Sequence, residues 1–302
     1  MNIIETHELT KYYVRPGLKK RQTMGIEQVS FAVRRGEIFG FLGPNGAGKT
    51  TTMRILLDLI RPTGGTASVL GLDAQKDTVE IRRHVGYIPG EILFYEGMTA
   101  GDLLRYYEQL MGAPATRKGE LVSLFDIPLD RPVKTFSKGM KQKIAIVQAF
   151  MHDPELVIMD EPSSGLDPLV QQRFYDFLLR ERASGKTIFL STHILGEAQR
   201  VCDRVAIIRK GRIAAIEDVA ELRAKSGKRI TVTFEGPVDE ADIMTPEVRD
   251  VAPLEDGYVL HTGSRVTETL RRIAALPVAD ISIEETSLED IFMHYYDGDG
   301  DV

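Results

Sequence analysis

A chain of 302 residues with 43% hydrophobic and 27% charged content has material for about two globular domains, and its balance excludes a disordered or collagen-like polymer. Nothing in it approaches the roughly 18 consecutive apolar residues of a membrane span, and a lone cysteine, Cys202, excludes an internal disulfide framework and fits a reducing, cytoplasmic setting. The net charge of −6 is uneven: 5 basic and 17 acidic residues follow Lys228, so that part carries −12 and the remainder +6, which predicts a boundary near residue 228 and argues against nucleic acid as its partner.

The first residues, Met1-Asn2-Ile3-Ile4-Glu5-Thr6-His7-Glu8, lack a basic segment followed by an apolar one, so no secretory leader is expected. Residues 2–42 read as strands. Ile3, Ile4 and Leu9 begin one and Val29-Ser30-Phe31-Ala32-Val33 alternates as another, the pairing antiparallel, with a turn at Arg34-Arg35-Gly36. Between them lies a basic loop, Val14-Arg15-Pro16-Gly17-Leu18-Lys19-Lys20-Arg21. It reads first as a solvated hairpin tip, with contact to lipid headgroups or a partner as the sharper alternative. Tyr12-Tyr13 precedes it, and an aromatic face there would stack on a purine.

The apolar run Glu37-Ile38-Phe39-Gly40-Phe41-Leu42 then leads into Gly43-Pro44-Asn45-Gly46-Ala47-Gly48-Lys49-Thr50-Thr51 and on to Met53-Arg54-Ile55-Leu56-Leu57. Strand, glycine-rich turn and helix follow in the order that G-x-x-x-x-G-K-[ST], the phosphate-binding loop, requires. The turn points backbone N–H groups from Asn45, Gly46, Ala47 and Gly48 at one spot, and the helix adds the positive end of its dipole. Lys49 brings a full charge to the β- and γ-phosphates of a nucleoside triphosphate, Thr50 a hydroxyl for Mg²⁺, and Thr51 one for a phosphate oxygen.

The helix continues over 52–60 and ends at Pro62-Thr63-Gly64-Gly65. A strand at 66–70, a helix at 76–84, a strand from Val85 into the loop Pro89-Gly90-Glu91, and helices at 100–112 and 117–126 follow. Ser137 is a good N-cap for a helix over 140–151, in a segment rich in Lys134, Lys138, Lys141 and Lys143. Leu156-Val157-Ile158-Met159-Asp160-Glu161 reads as a central parallel strand with two carboxylates at the C-terminal end, where α/β sheets bind ligands. Asp160 suits Mg²⁺ through water and Glu161 suits the polarisation of an attacking water. A turn, Ser164-Gly165-Leu166-Asp167, opens a helix over 169–183. Thr187-Ile188-Phe189-Leu190-Ser191-Thr192-His193 is a second buried strand. Helix 194–201, with Cys202 as core packing, and strands near 204–209 and 212–215 complete the body.

A short helix near 217–225, strands at 229–234, 258–261 and 279–284, and helices at 265–275 and 287–296 predict a small α+β domain of ferredoxin-like type. The tail Asp297-Gly298-Asp299-Gly300-Asp301 lacks the later glutamate of a calcium loop and reads as an acidic end.

Over residues 4–218 these pieces resemble the ATP-binding cassette (ABC) family of transporters. The carriers are the phosphate loop, the signature-like Phe136-Ser137-Lys138-Gly139-Met140, the Asp160-Glu161 pair, Ser164-Gly165-Leu166-Asp167 and His193. The resemblance implies an α/β fold of P-loop NTPase type, a RecA-like core with an antiparallel β-subdomain and a helical subdomain, in residues 1–218. A linker over 219–228 and an α+β accessory domain over 229–302 would follow. It implies an ATPase using ATP and Mg²⁺, with Tyr13 (Tyr12 as fallback) stacking on adenine, Glu161 as catalytic base and His193 at the γ-phosphate beside Lys49. Ser137 and Gly139 would contact the nucleotide held by a second cassette, so that one copy here implies a dimer, expected to be a homodimer. A separate membrane permease would be driven by it, which places the chain peripherally on the inner face of the cell membrane. Thr286-Ser287-Leu288-Glu289-Asp290-Ile291-Phe292 is similar to the C-terminal extension of bacterial exporter cassettes. A soluble cassette ATPase acting on nucleic acid or ribosomes is the alternative; it would show two cassettes or a long coiled coil. Two departures stand out. Gly90 occupies the place of a Mg²⁺-binding glutamine, leaving Glu91 or water for that role, and Lys138 and Met140 replace the usual glycine and glutamine.

Overall fold

The computed structural model describes residues 1–15, 21–112, 114–225, 227–263 and 265–285. The tip of the basic loop, the helix expected at 287–296, the exporter-like segment and the acidic tail lie outside the described residues. Two compact units divide the chain, Met1–Ile216 and Glu217–Val302.

In the first unit a six-stranded sheet runs in the order Arg212–Asp218, Arg204–Arg209, Ile38–Leu42, Thr187–Thr192, Leu156–Asp160, Val85–Ile88. The four inner contacts from Arg204–Arg209 across to Val85–Ile88 are all parallel. The three central strands are buried along their whole length, which is why they read as unbroken apolar runs rather than alternating ones. Parallel register sets Leu42 beside Thr192 and Asp160 beside Ser191, so the three strands end at one level.

A second sheet pairs Asn2–Arg15 antiparallel with Arg21–Arg34 and with Gly64–Val69, and Gly64–Val69 with Leu72–Asp73. Its strands are longer than the sequence predicts, 14 residues each for the first two. Register shifts at several points bend the long pair, as bulges do. Phe31 carries the contact between the two sheets. Its ring stacks on Phe39 at 5.8 Å and on Phe189 at 5.5 Å, placing an aromatic cluster under the central strands. Cys202 is buried, and burial pushes its thiol pKa up, so it stays a neutral packing group.

Helices Ala100–Met111, Lys118–Leu124 and Lys138–Phe150 form the helical part. Arg117 fastens it: two guanidinium nitrogens donate to the two oxygens of Glu181 on the helix Pro168–Ala183, at 2.5 and 2.8 Å. That fork pushes the Arg117 pKa further up. Glu181 is only 5% exposed, and no other cation is paired with its carboxylate among the described residues.

The second unit has strands Lys228–Phe234, Val248–Leu254, Gly257–Thr262 and Val278–Glu285 in the spatial order second, third, first, fourth, all antiparallel, with helices Glu240–Ile243 and Thr267–Ile273 in the two crossovers. This is the split β-α-β arrangement expected. Two elements were not foreseen, the single turn Glu240–Ile243 and the strand Val248–Leu254. That strand contains Pro253, which removes a ladder donor and is tolerated because the strand lies at the sheet edge. The division between units falls inside Arg212–Asp218, and the stretch expected as a linker holds the helix Val219–Lys225.

Arg117→Met should strand the buried Glu181 carboxylate and destabilise the first unit by about 3–5 kcal/mol. Urea unfolding measures this, and adding Glu181→Leu should restore most of the loss.

Candidate functional site

The loop after Ile38–Leu42 turns on Gly48, whose φ of +113° is left-handed and which caps the helix Lys49–Leu56. A Cβ there would lie 2.5 Å from Ile26 Cγ2 and 2.9 Å from the Gly25 carbonyl oxygen, so no larger residue fits the turn. Asn45 and Gly46 are exposed at its apex, while Ala47, Gly48 and Lys49 are buried. Lys49 Nζ donates to the Gly43 and Pro44 carbonyl oxygens at 2.7 and 3.2 Å and lies 3.3 Å from Glu161 Oε1. The ammonium is therefore held in place by its own loop and a single carboxylate.

Asp160 is 2% exposed and has both oxygens occupied. Thr50 Oγ1 donates to Oδ2 at 2.6 Å and Ser191 Oγ donates to Oδ1 at 2.5 Å. Ser191 also receives the Glu161 N–H, on its carbonyl oxygen at 3.2 Å and its hydroxyl at 3.1 Å. Glu161 itself sits at φ +50°, a left-handed conformation rare for this residue type, which aims its carboxylate back over the strand ends. Its Oε1 is 3.1 Å from His193 Nδ1. Lys49, Thr50, Asp160, Glu161 and His193 thus meet at one place. Ser191 had no role in the sequence reading. The available signal was a Ser-Thr pair ending an apolar buried strand, where each hydroxyl must find a partner.

A cleft of about 270 Å³ opens over this loop, lined among others by Tyr13, Asn45, Gly46, Lys49, Thr51 and Glu161. Tyr13 stands at one end with its hydroxyl 3.2 Å from Thr51 Oγ1. Strand alternation separates it from Tyr12, which donates to Glu27 at 2.5 Å and is engaged in the fold instead. Gly90 packs against Asp160, where a Cβ would be 2.9 Å from Oδ2, and Glu91 is exposed and does not line the cleft. Burial, reinforced by nearby Asp160, pushes the Tyr87 phenol up to about 12.

Ser137 and Gly139 do not join this group. Ser137 caps the helix Lys138–Phe150, accepting from Met140 N at 3.3 Å. Its first turn is pressed against the turn after Glu161: a Cβ at Gly139 would lie 2.5 Å from the Gly165 carbonyl oxygen, and Lys138 Nζ donates to Ser164 Oγ at 2.8 Å. The Lys138 stem covers Gly165, so the departures from the usual signature leave the glycine contact intact.

Residues 26–164 match the family model for ABC transporters. An uncharacterized ABC transporter ATP-binding protein of Synechocystis is 32% identical over 302 residues, covering 97% of this chain and 84% of the relative. The chain belongs to the ABC transporter family. Within that family it belongs with the ATP-binding subunits. The fluoroquinolones export ATP-binding protein of Mycobacterium tuberculosis is 33% identical, covering 89% of this chain and 86% of that one. A solved structure described as the ATP-binding subunit of an ABC transporter superposes with a TM-score of 0.65 at 34% identity, over 73% of this chain and 92% of that one.

Gly139→Ala should force the Gly165 turn away and cost about 1–3 kcal/mol. Thermal unfolding reads the loss, and Gly119→Ala, with open space around its Cβ, is the helix control.

Proposed function

We propose that this cassette powers an exporter, by closing two copies over ATP and parting after hydrolysis. The observation that carries the reading is the separation of the site's parts. The loop residues, Asp160, Glu161 and His193 converge, whereas Ser137 and Gly139 stand apart with Gly165. A second copy turned head to tail would bring its Ser137 segment over the Lys49 loop and complete the site. Likeness to an export protein supports the direction of transport.

In this reading Tyr13 stacks on adenine and the N–H groups of Asn45, Gly46, Ala47 and Gly48 hold the phosphates, with Thr51 on a phosphate oxygen. The γ-phosphate takes Lys49 from Glu161, which is then free to face a water. Glu161 accepts a proton from that water as its oxygen bonds to the γ-phosphorus. The bond to the β–γ bridging oxygen breaks, and ADP leaves with the electron pair. His193 Nδ1 steadies Glu161, since a carboxylate only accepts. Thr50 and Asp160 offer the hard oxygens that Mg²⁺ would take beside phosphates. The metal, when bound, neutralises phosphate charge. Among the described residues no group of three or more His, Cys, Asp or Glu is arranged to hold a metal ion by itself.

The membrane-spanning work falls to a separate permease, since no helix of the described residues is long and apolar enough to cross a bilayer. The cassette would then sit peripherally on the inner face, with the second unit as an accessory domain.

Glu161→Gln keeps shape but cannot accept the proton. Hydrolysis should fall about 10²–10⁴-fold while ATP binding persists. Size-exclusion chromatography with Mg-ATP should show a trapped dimer, and adding Ser137→Arg should return it to monomer. Wild-type hydrolysis by Glu161→Gln would remove Glu161 as base. A slow variant that stays monomeric even beside its permease would remove the two-copy closure.

A further inference from the structure

Behind the strand ends lies a buried polar knot that no motif includes. Glu197, on the short helix Leu195–Val201, is 8% exposed. Three hydroxyls from three elements donate to its two oxygens. Ser163 Oγ reaches Oε1 at 2.5 Å, Tyr175 OH reaches the same oxygen at 2.8 Å, and Thr192 Oγ1 reaches Oε2 at 2.7 Å. No cation is paired with it among the described residues, so the hydroxyls alone satisfy a buried carboxylate. Such an arrangement is stable only when every donor is in place.

The positions of those donors matter. Ser163 lies two residues after Glu161, in the turn that Gln142 Nε2 also ties down through the Pro162 carbonyl oxygen at 2.7 Å. Thr192 lies immediately before His193, and its hydroxyl accepts the Ile194 N–H at 3.0 Å while its carbonyl oxygen accepts the Gly43 N–H at 3.2 Å. Tyr175 fixes the carboxylate to the helix Pro168–Ala183. One side chain therefore spans the chain after the base and the chain before the histidine. The 3.1 Å contact between Glu161 and His193 has no direct covalent reason to persist, since the two belong to different strand ends. Glu161 is moreover held in a left-handed conformation that the surroundings must enforce.

We propose that Glu197 is a positioning residue for hydrolysis, holding Glu161 and His193 in register through Ser163 and Thr192. It does not line the cleft above the phosphate loop, so it acts on the turnover step and not on nucleotide affinity. The proposal rests on the reading of Glu161 as base.

Glu197→Gln preserves volume but replaces one acceptor oxygen with an N–H₂ donor, so at least one hydroxyl loses its partner. In the full-length chain, kcat should fall by about 10–100-fold, the effect of small misplacement of a reacting group. The ATP dissociation constant, read by fluorescent-nucleotide titration, should stay within about twofold. The double variant with Glu161→Gln should be no slower than Glu161→Gln alone, because Glu197 acts through that residue. Thr192→Val should reproduce the kcat loss and Thr192→Ser, which keeps the hydroxyl, should restore most of the rate. This pair decides the matter if Glu197→Gln fails to fold. Unchanged kcat in Glu197→Gln, a parallel loss of ATP affinity, multiplicative slowing in the double variant, or equal rates for Thr192→Val and Thr192→Ser would each overturn the proposal. Should Glu161→Gln itself hydrolyse ATP at the wild-type rate, it is the base assignment that fails; a slow Glu161→Gln beside a fast Glu197→Gln fails this inference alone.

Discussion

The level ending of three buried parallel strands governs the rest of this molecule. Parallel pairing fixes Leu42 against Thr192 and Ser191 against Asp160, so the loop after the first strand and the groups ending the other two emerge side by side. A one-residue slip in any of the three would turn its end group to the opposite face of the sheet. The slip is prevented by packing. Phe39, Phe41 and Phe189 turn to one side and join Phe31 in a single aromatic cluster, each fully buried strand phenylalanine fixing its register by that contact. The chemistry at the edge thus depends on the hydrophobic contacts beneath it.

Electrostatics completes what the register begins. Lys49 and Asp160 are both buried, and an isolated buried charge is costly. Each is answered locally, Lys49 by two carbonyls and Glu161, Asp160 by two hydroxyls. The loop and the strand end are thus tied together by their own hydrogen bonds and one ion pair.

Much of this was legible in the chain itself, because the phosphate loop, the Asp160-Glu161 pair and the strand leading to His193 are contiguous stretches whose residue types follow from their chemistry. Most of the described elements of the second unit were legible too, except for the single turn Glu240–Ile243 and the strand with Pro253. Its composition argues against a strand until its edge position is known. Gly90 and Glu91 illustrate the opposite limit: nothing in the sequence shows that Gly90 packs against Asp160 or that Glu91 lies outside the cleft. Ser163, Thr192 and Glu197 were opaque for another reason. Their partners are distant in sequence, by 34 residues for Ser163 and Glu197, and nothing in the local pattern of any one predicts the other.

The contact between Gly139 and Gly165 bears on how such sequences drift. With a carbonyl oxygen 2.5 Å from where a Cβ would sit, position 139 takes any side chain at a cost. Its neighbours are free: Lys138 is exposed and Met140 only half-buried, and those are the two places where this chain has wandered from the usual spelling. Substitution can rewrite the flanks, as the lysine that reaches Ser164 illustrates, whereas any side chain at 139 has to displace the Gly165 carbonyl. Change at the rim of this turn is therefore cheaper than change at the glycine on which the turn rests.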